Sequence, residues 1–363
     1  MVLPKGKIDV FEVLKRYSNE VVKPHFGIDI QNSGYTGNHV TVCLPSSFSS
    51  YENTNYYYKG KNRFIHYTSL ESFFYIINNG YFIASQLSSL NDPLELIFAG
   101  KRMSEATTRD RLDLLKRYLF SFSMCIYQEN SENNDSFKMW NMYGRDGHGV
   151  GMVFSFYENI GEWNESFLSE VYYDNEESCL DKFTNFSNVH NSFMKKYPEL
   201  EMRTSIKGPI GASDTMALFL PFHKSRLYKE ENEIRYLKSF INDSEKCSAK
   251  NESIGIRLNK QKELEYFYKI PIVTNKIVDE LCSKNGVNRI ENFRTEFNRD
   301  KRIISSIIGN KPFVVLEKII IGYKYTYEDF SQINSQKYII EEKLNSSFID
   351  FELSEYSKEF YES

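Results

Sequence analysis

The sequence predicts a mixed α+β fold: a mostly antiparallel sheet core with flanking helices. Three observations predict it. Residues 64 to 85 read strand, helix, glycine, strand. Further β-prone runs follow, namely LFSFSMCIY, GVGMVFSF, ENEIRYLKSF and PFVVLEKIIIGYKYT. Helical stretches fall between these runs without regular βαβ alternation, which argues for a mixed sheet rather than a parallel one.

Ile8, Phe11, Val13, Leu14, Tyr17, Val21 and Val22 recur near helical spacing, so the chain opens on a short amphipathic helix. From Gln31 to Arg63 the text is rich in Ser, Asn, Gly and Tyr, broken only by the strand-like HVTVCLP, and reads as an irregular arm. FIHYT is a short strand, and Ser69 caps the helix whose apolar face is Leu70, Phe73, Phe74, Ile76 and Ile77. Asn79-Gly80 stops that helix, because glycine enters the left-handed region at little cost. YFIAS returns as the second strand, and LNDPLE is a turn. DSFKMWNMYG makes a short helix capped by Asp135, and residues 178–200 and 211–225 are helical candidates. ENEIRYLKSF alternates like a strand with one wet face. The expected layout is an N-terminal helix and arm over 1–60, one α+β unit over 61–345 with a polar insertion near 241–255, and an acidic tail over 346–363.

Composition narrows the function classes. Across 363 residues, 28 Phe and 26 Tyr supply area for a large core, and 45 basic against 49 acidic residues leave a net charge of −4. No global basic field recruits nucleic acid, so polynucleotide contact requires a local patch. Arg294 to Arg302 is the most basic run and reads first as a charged helix face. The five cysteines are scattered without a CxxC pair, which argues against a zinc site or a disulfide framework. With no signal-like or membrane-spanning apolar run, the expected location is the cytoplasm. The glycines at 144–151 form neither GxGxxG nor a P-loop, and no GxSxG or HExxH occurs, so no metal is expected.

Three features carry chemistry. Glu231, Glu233 and Arg235 project together if they lie on one strand, since alternate residues share a face. Such a carboxylate stabilises an oxocarbenium-like state, as in cleavage of a nicotinamide–ribose bond. Glu233 takes that role, Glu231 orients or deprotonates an acceptor, and Arg235 binds phosphate or holds Glu233. The simpler alternative is a solvated strand face with a Glu–Arg pair. His66 followed by an aromatic is otherwise a satisfied core histidine, and Trp140 with Tyr143 is otherwise a core pair.

FIHYTSLESFFYIINNGYFIAS, LNDPLE, FSFS, MWNMYG, GVGMVF, KSRLYKEENEIRYL and LEKIIIG, in this order between His66 and Gly322, resemble a bacterial family, the domain of unknown function 2971. More distantly, His66-Tyr67-Thr68-Ser69, a helix, Gly80 and a strand look like the opening of ADP-ribosyltransferase folds, with Glu231-Asn232-Glu233 at the position of their late acidic motif. Tyr67 departs from that pattern, replacing a small residue. The likeness implies an enzyme that uses NAD as substrate, releases nicotinamide and passes ADP-ribose to a macromolecule (protein or nucleic acid) or to water, in a toxin-like or phage-defence role. It also implies that His66 bonds the adenosine-side ribose. Thr68 or Ser69 then bonds the nicotinamide amide, and Tyr143 or Tyr67 stacks on the ring. Asn91 and Asp92 form a turn or a loop closing on the ligand. The rival readings are a non-catalytic nucleotide- or partner-binding module and a nucleic-acid-end-processing enzyme, the latter marked by a basic groove including Arg145 or Lys224.

Overall fold

The strand–helix–strand unit forms where its caps place it. Ser69 Oγ accepts from Ser72 N at 3.1 Å, the helix spans Leu70–Asn79, and Gly80 closes it at φ 70°. The structure, a computed structural model, describes residues 9–36, 39–89, 113–128, 136–156, 163–174, 176–197, 201–203, 212–258, 263–273, 311–344 and 349–357. Asn91, Asp92, Asp135 and the basic run 294–302 lie outside the described residues. The short helix Phe137–Met142 is capped by Ser136 instead, whose Oγ accepts from Met139 N.

In chain order the strands are β1 (Gln31–Thr36), β2 (His39–Cys43), β3 (Phe64–Ser69), β4 (Tyr81–Gln86), β5 (Leu119–Ile126), β6 (Gly149–Phe156), β7 (Ser166–Glu170) and β8 (Tyr172–Asp174). They continue as β9 (Glu201–Arg203), β10 (His223–Ser225), β11 (Glu233–Ser239), β12 (Ile254–Leu258), β13 (Leu264–Pro271), β14 (Val314–Ile321) and β15 (Asp350–Leu353). A ten-stranded sheet dominates, ordered β12-β13-β4-β5-β3-β6-β14-β15, with β11 pairing β5 and β7 pairing β11. All its pairings are antiparallel except β14 with β15, so the fold is mixed, with a mostly antiparallel sheet and flanking helices, as expected. Gln31–Thr36 and His39–Cys43 form the β1–β2 pair where only HVTVCLP reads as a strand. Downstream, Phe48, Tyr51 and Tyr56 are buried in the core, so the aromatics of this polar stretch anchor it. Among the described residues, no helix is long and apolar enough to cross a membrane.

Two local features position the site. The first is a fork in the sheet. Strand β5 pairs with β11 along nearly its whole length, leaving one edge for both β3 and β4. β3 takes the end of that edge, with Ile65 opposite Cys125, and β4 takes its start, with Ser85 opposite Ser121. Ser123 faces the gap between them. The second is the close approach of β6 to β3 at Gly149, opposite Ser69, where an added Cβ would lie 2.3 Å from Thr68 O. Only glycine permits that pairing without displacing backbone.

Strand β11 differs from the alternation read in its sequence. Glu233 through Leu237 are all buried. Its central place between β5 and β7 covers both edges, and Tyr236 packs near Phe156 and Trp163 on one face. On the other face Arg235 is 1% exposed and donates from Nη1 to Pro221 O. A charged residue survives there because it is paired.

Candidate functional site

The fork leaves the Ser123 carbonyl without a strand partner on that edge, and a side chain satisfies it. His66, wedged against Phe82 and Phe122, sets Nδ1 3.0 Å from Ser123 O. A carbonyl only accepts, so Nδ1 carries the proton and Nε2 offers a lone pair. Burial drives the imidazole down to about 4, against a smaller upward pull from that carbonyl. His66 is therefore neutral near pH 7.

The hydroxyl of the same serine turns the other way and donates to Glu233 Oε1. Glu233 is 4% exposed and also accepts from Arg235 Nε at 2.7 Å, while Lys224 Nζ lies 2.6 Å from its Oε2. Burial pushes this carboxyl up, but the charges of Arg235 and Lys224 outweigh it and hold it at about 2. Glu231 does not lie on β11. It ends the 3₁₀ helix Arg226–Glu231, and Asn232, at φ 44°, turns the chain before the strand begins. The two carboxylates nevertheless converge, because Lys224 Nζ also donates to Glu231 Oε2 at 3.0 Å. Tyr143 OH donates to Glu231 Oε1 at 2.7 Å.

His66, Ser123, Tyr143, Lys224, Glu231 and Glu233 line one cavity of about 290 Å³, together with apolar side chains such as Ile65 and Met139. A second cavity of about 690 Å³ shares Ile65, Tyr67, Cys125, Met139, Glu231 and Glu233 with it, so the two carboxylates stand in a common wall. Cys125 in that wall is a neutral thiol, since burial, reinforced by Glu233 and Glu231, pushes it up to about 12.

The structure thus brings together His66, Tyr67, Tyr143, Glu231 and Glu233. Thr68 and Ser69 do not line either cavity: Thr68 is buried opposite Val150, and Ser69 is committed to its helix cap. Arg235 also lines neither and spends its Nε on Glu233, which is the holding role of the two considered. Tyr67 accepts from Ser136 N at 2.9 Å and meets Trp140 edge-on at 4.9 Å, so its hydroxyl is engaged in structure. Ser123 and Lys224 complete the site. Lys224 sits among carboxylates and Arg145 lies 3.7 Å from Glu71, so these two do not make a continuous basic groove.

Residues 139–236 match the family model of a protein of unknown function (DUF2971). The DUF2971 match contains Tyr143, Lys224, Glu231, Glu233 and Arg235, while His66 and Ser123 precede it. No curated protein and no solved structure matches the chain.

The histidines make folding pH-dependent. Burial lowers both His66 and His190 from 6.5 to about 4, so the unfolded chain binds more protons below the ordinary histidine range. Their stabilisation is complete above pH 6.5 and is lost as pH falls toward 4; Glu233, held at about 2 against 4.5, adds a further loss below that. Urea unfolding at about pH 4.5 should show roughly 2 kcal/mol less stability per histidine than at about pH 7. His190→Gln should make that decline shallower, and an unchanged slope would contradict the assignment.

Proposed function

We propose that the chain consumes NAD in the manner of an ADP-ribosyltransferase, releasing nicotinamide and transferring ADP-ribose to a macromolecule or to water. The observation that carries the reading is the joining of His66 and Glu233 in one cavity through the two ends of Ser123. A neutral imidazole with a free acceptor suits a ribose hydroxyl, and a carboxylate kept ionised on the other side of Ser123 suits developing positive charge on a ribose.

In this reading the C–N bond to nicotinamide breaks with its electron pair leaving on the ring nitrogen. Glu233 offsets the positive charge that grows on the ribose. It cannot act as a general acid with its carboxyl at about 2, so its contribution is electrostatic. Tyr143, 45% exposed at the cavity, provides a ring face for nicotinamide. Glu231, in the wall of the second cavity, takes the proton of the hydroxyl that attacks the ribose carbon. The enzyme works on a soluble acceptor in the cytoplasm, and a toxin or antiviral-defence role fits an activity that drains NAD.

Steady-state nicotinamide release tests the placement of the ligand. His66→Ala should raise KM for NAD roughly 10-fold, the loss of one hydrogen bond, with a smaller change in kcat. An unchanged KM would place the ribose elsewhere.

A further inference from the structure

One buried titratable group in the wall of the site has no part in the reaction described above. Lys224 lies on β10, which pairs in parallel with β8 and sets Lys224 opposite Tyr173. Successive residues of a strand face opposite sides. On the far side, the buried His223 places Nε2 3.0 Å from Tyr56 OH, and its ring meets Phe183 edge-on, which pins the strand from behind. Lys224 is thereby delivered into the wall of the smaller cavity, with its side chain 8% exposed.

Its ammonium serves two carboxylates from different elements. It donates to Glu231 Oε2 at 3.0 Å, at the end of the 3₁₀ helix, and stands 2.6 Å from Glu233 Oε2, at the start of β11. The other oxygen of each carboxylate is engaged from elsewhere: Glu233 Oε1 by Ser123 and Arg235, and Glu231 Oε1 by Tyr143. Of the two cations on Glu233, Lys224 lines the smaller cavity and Arg235 lines neither. Two like charges in one dry wall repel, and without a shared cation a proton on one of them is favoured. Tyr143, Tyr173 and Cys125 also feel the Lys224 charge, but burial, the largest influence on each, keeps their protons on well above neutral pH. The Tyr228 ring lies 5.6 Å from Nζ. Near neutral pH the charges that answer Lys224 are therefore the two carboxylates.

We infer that Lys224 is a positioning residue, which bridges Glu231 and Glu233 and holds them side by side in the cavity wall as a charge-balanced pair. The bridge sets the group that takes the acceptor's proton next to the group that offsets charge on the ribose. This rests on the NAD reading for the roles of the two carboxylates, while the bridge itself stands on the distances. Asn232, at φ 44°, turns the chain between them, so their convergence is not a product of strand geometry and depends on the shared cation.

Carboxyl-carbon NMR of glutamate-labelled protein, with Glu233 assigned by its loss in Glu233→Gln, reads the bridge without any substrate. Burial raises the Glu233 carboxyl, and Arg235 and Lys224 bring it down to about 2, so in wild type it should stay ionised down to about pH 4. In Lys224→Met its midpoint should rise by about 1–3 units, and Lys224→Arg, which keeps the charge, should restore it. Should Lys224→Met fail to fold, adding Glu231→Gln removes the like charge, and the Glu233 midpoint should still lie above that of wild type. Nicotinamide release by Lys224→Met should fall ~10–100-fold in kcat, its acid limb moved up by about 1–2 pH units. A Glu233 that titrates as in wild type without Lys224, or an unchanged pH profile of release, would overturn the assignment. A raised midpoint in protein whose wild type releases no nicotinamide would uphold the bridge and sink the reaction.

Discussion

Glu233→Gln is expected to release nicotinamide ~10²–10³-fold more slowly than wild type, the loss typical of removing one preorganised electrostatic group. The amide keeps an oxygen for Ser123 and Arg235 but no longer neutralises Lys224 and Arg235. The variant should therefore also lose about 3 kcal/mol of stability, since a buried ion pair that loses one partner leaves the other uncompensated. Lys224 retains Glu231, which keeps the loss at the lower end of that range. The two effects are separated by measuring turnover well below the unfolding midpoint. A folded variant with wild-type turnover would make Glu233 purely structural.

Arg235→Met should have the largest effect on folding. The guanidinium is 1% exposed and bonds Glu233 and Pro221 O, so the substitution strips a buried carboxylate of one of its two cations and a backbone carbonyl of its donor. Unfolding free energy should fall by about 3–5 kcal/mol, a large share of the 5–15 kcal/mol that holds a domain together. Combining it with Glu233→Gln should cost less than the two single losses added, because both act on one pair. A loss under about 1 kcal/mol in chemical denaturation would mean that the pair is solvated and that Arg235 holds nothing.

Local signals were the legible part of the fold. Ser69, Gly80 and the apolar face between them define a helix through bonds that span a few residues, and the structure forms it with those caps. The setting of β11 was not legible, because whether a strand has a wet face depends on partners more than sixty residues away. The convergence of Glu231 and Glu233 was expected from period-2 geometry, yet it arises otherwise: Asn232 breaks the strand, and Lys224 draws the carboxylates together. Ser123 escaped notice because a serine inside a hydrophobic strand has no sequence signature. Its importance comes from the fork between β3 and β4, a property of sheet order alone. Thr68 and Ser69 show the reverse case, where residue types suited to binding are used for register and capping.

The central claim is tested most directly by quantifying nicotinamide from NAD incubated with folded wild-type protein, with and without cell lysate as a source of acceptors. The account predicts release above the protein-free rate, increased by lysate if the acceptor is a macromolecule and unchanged if it is water. No release under either condition, from protein that unfolds cooperatively, would contradict it.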